Sequence, residues 1–546
     1  MLRRSVPQIS RYLFRQLRGH YTQVSANTLA GCLIVLADLS FVWATKLTID
    51  IATHRSGALP LWGGFALLAG IMAARLALTV GLRWVRAVLG VRAQNDMRAD
   101  IFRRLLGTRW DALRSYHTGN LTNRIERDVS DVVNFVTESL PALVKTVLQF
   151  AGAFVFLFVM NRQLALLVVL IVPFFLLASK LYVKRMRELT RRARETDSAI
   201  QATIQETLQH SLVVKTLRAA AQLLDRLTAQ QKELHRLILR RTRYSTLSTT
   251  LLNTGFSLGY LVTFVWGVTG LSRGEITYGA MIAFIQLVGQ IQDPVRQLSR
   301  FVPVFITAFT ASERLMDIEE MPAEEDGGAQ RLAGPLSVTL DNVTFAYEPG
   351  SRKIFEGFSH TFPAGSVTAI VGETGAGKTT LIRLLLSLCR PQEGAVLLAG
   401  ADGAAHPASA GLRCNFSYVP QGNSLFSGTV RSNLLLAAPA ATEGEMEEAL
   451  HAACADFVLS HPAGLDTPCG EAGDGLSEGQ AQRVAIARAL LGKGGALIFD
   501  EATSSLDGET EEAVLRNIVK GYPGRTLIFI THRPAVLKYA THTLRL

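Results

Sequence analysis

Long apolar stretches recur through the first 300 residues, and they decide most of what this part of the chain can be. The clearest, residues 164–182, reads LALLVVLIVPFFLLASKLY and carries no charge before Lys180. A helix needs about 20 such residues to cross the hydrocarbon core of a bilayer. The candidate spans are 25–52, 58–87, 136–160, 163–185, 248–271 and 276–300. In residues 141–160, PALVKTVLQFAGAFVFLFVM, roughly eleven strongly apolar side chains gain about 0.3–0.6 kcal/mol each and outweigh one lysine costing about 2.5–3.5 kcal/mol. Lys145 lies near one end of that span, within snorkelling reach of the interface. Pro173 predicts a kink in the fourth span, which a helix bundle tolerates. The last span is the most polar, with Gln286, Gln290 and Asp293.

Charge follows the same division. The net charge of +11 would suit a nucleic-acid binder. Up to residue 320, however, roughly 39 Lys and Arg stand against 21 Asp and Glu, and beyond it roughly 17 stand against 24. The basic excess sits between the apolar runs, as the positive-inside rule requires. No nucleic-acid partner is therefore expected, and the lipid bilayer is. The five cysteines, Cys32, Cys389, Cys414, Cys454 and Cys469, show no close zinc or redox spacing.

The connections between spans are unequal. Those near residues 54–60, 161–163 and 272–277 are short. Segments 88–135 and 184–247 are long and basic, with apolar residues at helical spacing, and read as long cytoplasmic hairpins. Residues 321–335, MPAEEDGGAQRLAGP, hold Pro, Gly and acid without periodicity and read as a linker. After them, short β-type runs alternate with helical stretches. The expected fold is an all-α six-helix transmembrane domain over residues 1–320, followed by an α/β P-loop ATPase domain over residues 336–546.

The chemistry lies in the second part. Residues 367–386, VTAIVGETGAGKTTLIRLLL, carry an apolar strand, a glycine-rich loop and an apolar helix. This is the phosphate loop G-x-x-x-x-G-K-[ST] in its strand–loop–helix setting. The loop comprises Gly372, Glu373, Thr374, Gly375, Ala376, Gly377, Lys378, Thr379 and Thr380. Its glycines let backbone N–H groups close around a phosphate, and the helix N-terminus adds positive partial charge. Lys378 is expected to reach the β- and γ-phosphates of ATP, and Thr379 to ligate Mg²⁺. In residues 496–507, ALIFDEATSSLD, two carboxylates follow a buried strand. Ligands of open α/β sheets bind at that carboxyl edge. Asp500 is placed to hold Mg²⁺, and Glu501 to polarise the attacking water.

Residues 476–491, LSEGQAQRVAIARALL, resemble the signature of ATP-binding cassette (ABC) proteins. With the phosphate loop, they make the chain similar to the exporter-type half-transporters of that family. The resemblance implies roles for further residues. Tyr347 in FAYEPGS resembles the aromatic that stacks on adenine. Gln421 in YVPQGNSLFSGTVRSNL resembles the glutamine that senses nucleotide and contacts Mg²⁺. Glu471 in GEAGDG resembles the exporter X-loop, residues 504–507 the D-loop, and His532 in FITHRP the switch histidine. Residues 116–128, 205–219 and 309–320 resemble the family's two cytoplasmic loops and its junction.

The resemblance also implies assembly. Family ATP sites form between two cassettes, with Ser477, Gly479 and Gln480 serving ATP held by the other subunit. A second half-transporter subunit is thus required. A homodimer is the simpler assumption, because Glu501 and His532 are both present; a heterodimer with a degenerate partner is the alternative. The sequence departs from the family at Glu478, where Gly is usual, and an anion aimed at phosphate would be repelled. Glu478 is expected to point away while Ser477 and the Gly479 backbone make the contact. The family's C-terminal helical tail is expected to be largely missing after His532. Cytoplasmic placement of both the Arg-rich N-terminus and the ATPase demands an even number of crossings, and the bacterial inner membrane is the expected location. Three functions follow in order: ATP-driven export of a solute, peptide or lipid; an ATP-gated channel or regulator that does not pump; and a soluble ABC ATPase. Asp38 and Arg75 fall inside spans, where they either line a cavity or pair with each other.

Overall fold

The computed structural model describes residues 4–16, 18–55, 59–114, 116, 118–325, 327–348, 350–470 and 475–546, with backbone alone for residues 118–120, 169, 171–184, 299 and 300. Glu471 and the side chain of Pro173 lie outside the described residues. The chain forms two compact units. Met1–Ile101 with Leu121–Asp317 make the first, and Phe102–Asn120 with Ile318–Leu546 make the second.

The first part is helical: α1 (Val6–Gln16), α2 (Tyr21–Ala52), α3 (Leu61–Leu106), α4 (Trp110–Arg114), α5 (Thr118–Asn123), α6 (Val129–Asn134), α7 (Leu140–Met160), α8 (Arg162–Gln209), α9 (Ser211–Thr216), α10 (Ala220–Ser272) and α11 (Tyr278–Glu319). Short π-helical turns, Arg124–Asp128 and Phe135–Ser139, flank α6. Among the described residues, four helices are long and apolar enough to cross a membrane: Tyr21–Ala52, Leu61–Leu106, Leu121–Met160 and Ala220–Ser272. The apolar stretch 163–185 lies in α8, most of its side chains outside the described residues. Stretch 276–300 lies mostly in α11, whose polarity has a local reason. Ala283, Phe284, Leu287, Val288 and Ile291 are fully buried, and Gln292 donates to the Phe256 carbonyl at 3.0 Å, so its amide faces protein.

Local chemistry sets the corners. Asn161 takes an extended conformation between α7 and α8, and its side chain accepts from the Leu164 N–H at 2.9 Å, capping α8. Gly279 starts α11 against α2; a Cβ there would lie 2.4 Å from the Lys46 carbonyl. Small residues permit such close helix approach. Val42, Leu157, Leu164 and Leu287 join α2, α7, α8 and α11 in one apolar core. Further along, Leu189 and Ala193 of α8 pack on Leu237 of α10.

The second unit contains β1 (Ser337–Phe345), β2 (Phe355–Phe362), β3 (Val367–Val371), α12 (Lys378–Leu385), β4 (Glu393–Ala399), β5 (Ala405–Pro407), β6 (Phe416–Val419), β7 (Gly428–Thr429), α13 (Val430–Leu435), α14 (Glu443–Ala452), α15 (Asp456–Leu459), β8 (Pro468–Cys469), α16 (Glu478–Leu491), β9 (Ala496–Asp500), α17 (Gly508–Gly521), β10 (Thr526–Ile530), α18 (Pro534–Leu537) and β11 (His542–Arg545). A parallel sheet runs β11-β3-β10-β9-β6, and an antiparallel sheet runs β2-β1-β4-β5. The central strands β3, β10 and β9 are buried on both faces and nearly all apolar, whereas the edge strand β11 is mostly polar and exposed. Leu497, Phe499, Leu527 and Phe529 face one core, while Ile498, Ile528 and Ile530 face the other. Phe499 and Phe529 stack with centroids 4.7 Å apart.

Segment 321–335 is irregular in backbone yet held in place. Glu324 pairs with Arg413 at 2.7 Å, the Gln330 N–H donates to the Gly411 carbonyl at 2.9 Å, and the Leu332 N–H donates to Asn415 at 2.8 Å. Within the same unit the Arg109 N–H donates to the Pro322 carbonyl at 3.0 Å, tying the α4 region to this segment.

Candidate nucleotide site

Parallel pairing brings the site together. Ile530 of β10 lies opposite Ile370 of β3 on one side and Asp500 of β9 on the other, and Val419 of β6 lies opposite Phe499. The residues that leave these strand ends therefore meet at one edge: the phosphate loop after β3, Glu501 after β9, His532 after β10 and Gln421 after β6.

The loop turns into α12 through Gly377, whose φ of +100° is left-handed and whose Cβ would lie 2.8 Å from Ile354. Only glycine meets both demands without strain. Lys378 is buried and donates to the carbonyls of Gly372 at 2.6 Å and Glu373 at 3.1 Å, and its Nζ lies 3.0 Å from His532 Nε2. An ammonium has donors only, so Nε2 is the acceptor and the ring proton sits on Nδ1. Lys378 thus bonds its own loop.

Glu501 has a φ of +50°, a costly conformation for a residue with a Cβ. Its N–H donates to the Ile530 carbonyl at 3.0 Å, which holds the turn. Its carboxylate accepts from Gln421 Nε2 at 2.6 Å and lies 3.5 Å from His532 Nε2. Asp500 is buried, and burial pushes its carboxyl above the usual carboxylate range. The Tyr418 hydroxyl donates to Asp500 Oδ2 at 3.2 Å and opposes that shift. Burial and the Asp500 charge in turn push the Tyr418 phenol up. The Thr379 hydroxyl, the Gln421 amide oxygen and the Asp500 carboxylate are hard oxygen donors of the kind Mg²⁺ takes.

Tyr347 lies beside the loop. Its hydroxyl is 3.2 Å from Thr380 Oγ1 and accepts from Arg383. The Arg114 guanidinium sits 4.7 Å over the Tyr347 ring, and Arg383 sits 4.7 Å over Trp110 of α4. A purine stacking on Tyr347 uses the other ring face or displaces Arg114. Glu373, Thr374 and Gly375 are exposed, while Ala376 closes a turn through its N–H to the Glu373 carbonyl at 3.1 Å.

The signature residues sit elsewhere in their own hydrogen bonds. Ser477 caps α16: its hydroxyl accepts from the Gln480 N–H at 3.2 Å, and its own N–H donates to Gln480 Oε1 at 2.9 Å. Among the described residues, no hydrogen bond joins Ser477, Gly479 or Gln480 to the phosphate loop of the same chain. Glu478 is exposed at the first helical position, where the helix dipole favours an acid. A Cβ on Gly479 would lie 2.9 Å from the Ser505 carbonyl. Gln482 binds Ser504 and Ser505, and Arg533 binds the Leu506 carbonyl and Glu511, so α16 and the N-cap of α18 together hold segment 504–507.

Sequence reasoning did not single out Tyr418, Arg383, Arg114, Gln482 or Arg533. Two had a local signal. Arg383 follows Thr380 by three residues, which puts both on one helix face, and Tyr418 precedes Gln421 at the end of β6.

The model of the ABC transporter transmembrane region matches residues 25–295, and the ABC transporter model matches residues 355–504. An ATP-dependent lipid A-core flippase of Desulfotalea psychrophila is 30% identical over 453 residues, covering 82% of this chain and 78% of that protein. A fatty acid ABC transporter ATP-binding/permease protein of Mycobacterium bovis is 31% identical over 428 residues, covering 78% and 68%. The solved structure of a bacterial Atm1-family ABC exporter with ATP bound superposes with a TM-score of 0.80 at 26% identity, covering 96% of this chain and 94% of that one. The chain belongs to the ABC transporter family, as an exporter-type half-transporter that joins a helical transmembrane domain to one nucleotide-binding ATPase domain.

Proposed function

We propose that this chain works as a homodimer in the bacterial inner membrane, exporting an amphiphilic solute or lipid with ATP hydrolysed at two sites shared between the subunits. The convergence of Lys378, Gln421, Glu501 and His532 on one strand edge carries this reading. Lys378 exchanges its loop carbonyls for the β- and γ-phosphates when ATP arrives. Glu501, held by Gln421, accepts a proton from the attacking water. His532 contacts the γ-phosphate once Lys378 has moved. Tyr347 stacks on the adenine, and the backbone of residues 372–380 surrounds the phosphates. Thr379, Gln421 and Asp500 would hold Mg²⁺, which offsets phosphate charge when bound.

Ser477 and the Gly479 N–H of one subunit complete the site of the other. The capped start of α16 supports this role, since its first N–H groups have no partner within the helix. ATP then binds the closed dimer better than the open one and shifts that population; hydrolysis reverses the shift. The closing motion passes through the cytoplasmic loops to the spans and alternates access to the cavity. The relatives' names, a lipid A-core flippase and a fatty acid transporter, support lipid-like cargo as the first class to try.

The Glu501→Gln variant tests the catalytic assignment. Steady-state ATPase activity is expected to fall by about 10²-fold or more, with ATP affinity within a few-fold of wild type. Near-normal turnover removes Glu501 from this role.

A further inference from the structure

The helical unit contains a cavity of about 710 Å³ between α2, α3, α7 and α11. Arg83, Arg86 and Lys145 stand on its wall with one carboxylate, Glu138, and with the amides of Gln149 and Gln297. Charges inside spans cost free energy unless they are partnered. Elsewhere in its spans this protein partners them: Arg75 bonds Asp38 at 2.7 Å, and Lys46 bonds Asp50 at 3.3 Å. In the cavity it does not. Among the described residues, no hydrogen bond or ion pair engages Arg83, Lys145 or Glu138. Asp38 acts on Lys145 electrostatically, yet its carboxylate is bonded to Arg75.

Arg86 is oriented by a buried residue. Its Nε donates to Asn27 Oδ1 at 3.0 Å; Asn27 is 1% exposed and donates to the Thr137 carbonyl at 2.8 Å. This fixes the guanidinium by one edge and leaves its terminal nitrogens for another acceptor. The cavity residues run from the inner half of the spans toward their cytoplasmic ends. At 1.5 Å per residue, Lys145 lies about 22 Å from the outer end of α7, Gln297 about 28 Å from that of α11 and Arg83 about 33 Å from that of α3. In a hydrocarbon core about 30 Å thick, that is the cytoplasmic half and its interface.

We propose that this cavity binds the anionic group, phosphate or carboxylate, of the transported substrate, with Arg83, Arg86 and Lys145 as its ligands. The proposal rests on the export reading and deepens it by naming the chemistry of the cargo. The cavity falls in the ordinary size range of small-molecule sites. It holds a headgroup, so an acyl chain extends beyond it. A lipid of the inner leaflet and a soluble organic anion both supply the required group.

The test uses the full-length protein in phosphatidylcholine nanodiscs without nucleotide, so binding is read apart from turnover. Fluorescent phosphatidate, the matched diacylglycerol and water-soluble hexyl phosphate serve as probes. Phosphatidate or hexyl phosphate binds at least tenfold tighter than diacylglycerol. Lys145→Gln and Arg83→Gln each weaken that binding about tenfold, the loss expected for a charge-assisted hydrogen bond, while Lys145→Arg and Arg83→Lys retain it. Phosphatidate binding alone assigns the cargo to the leaflet, and hexyl phosphate binding assigns it to the cytosol. Equal binding of diacylglycerol, or full affinity in both glutamine variants that remain monodisperse with an unchanged thermal midpoint, overturns the site. Charge-dependent binding without ATP-driven movement leaves the site standing and refutes the export reading instead.

Discussion

Asp500 is a buried carboxylate whose ionised form is supported mainly by one phenol. Burial raises its pKa, and the Tyr418 hydroxyl lowers it. In the proposed role of Asp500 as a Mg²⁺ ligand, protons compete with Mg²⁺ for the ionised carboxylate, and the affinity is expected to weaken as pH falls, starting above the ordinary carboxylate range. Tyr418→Phe removes the lowering contact and raises the Asp500 pKa further. The Mg²⁺ concentration that half-saturates binding of a fluorescent ATP analogue is therefore expected to rise several-fold in the variant, and more at pH 6 than at pH 8. An identical pH profile in both proteins refutes this role for Tyr418. Tyr418 also marks a limit of the sequence. Asp500 and Glu501 are legible because they stand at the end of an apolar strand, and Gln421 and His532 because their surroundings resemble the family's motifs. The contact of Tyr418 with Asp500 crosses from β6 to β9, and no spacing along the chain predicts which phenol meets which carboxylate.

The α16 element shows how one helix start serves two neighbours. Its capping box, Ser477 with Gln480, satisfies backbone groups and leaves Ser477 and Glu478 exposed. Gly479 sits behind that turn against Ser505, where a methyl group would meet the carbonyl at 2.9 Å. Gly479→Ala is expected to push segment 504–507 away and to lower ATPase activity at least tenfold while ATP still binds the phosphate loop; unchanged turnover at saturating ATP counts against it. The glycine was legible as part of the signature, but its packing reason was not. Glu478 is an exposed acid at the first helical position, a place the helix dipole favours. The linker was legible as irregular. Its hydrogen bonds to Gly411 and Asn415 were not, because they join residues some 80 positions apart.

At the scale of the whole molecule, two periodicities carried the reading: apolar runs near 20 residues, then short strands between helices. The architecture followed from them because a bilayer and a doubly covered parallel sheet each impose a strict pattern. The polar helix α11 is the instructive case. Its glutamines weaken the hydropathy signal, yet Gln292 faces Phe256, and the buried face of α11 belongs to the core shared with α2, α7 and α8. The cavity cations were legible only as scattered arginines and a lysine; the packing of four helices brings them to one wall. The ion pair of Asp38 with Arg75 likewise follows from packing, and it gives these two charges a partner in each other.

Movement of cargo against its gradient tests the central claim most directly. Sealed vesicles with outward-facing ATPase domains are loaded with fluorescent phosphatidate or hexyl phosphate on the ATP side, and accumulation on the far side is followed with time. Wild-type protein is predicted to accumulate one probe above equilibrium only with hydrolysable ATP, and Glu501→Gln to accumulate none. ATP-dependent flux that stops at equilibrium and persists in Glu501→Gln contradicts the account and makes the protein a gated pathway.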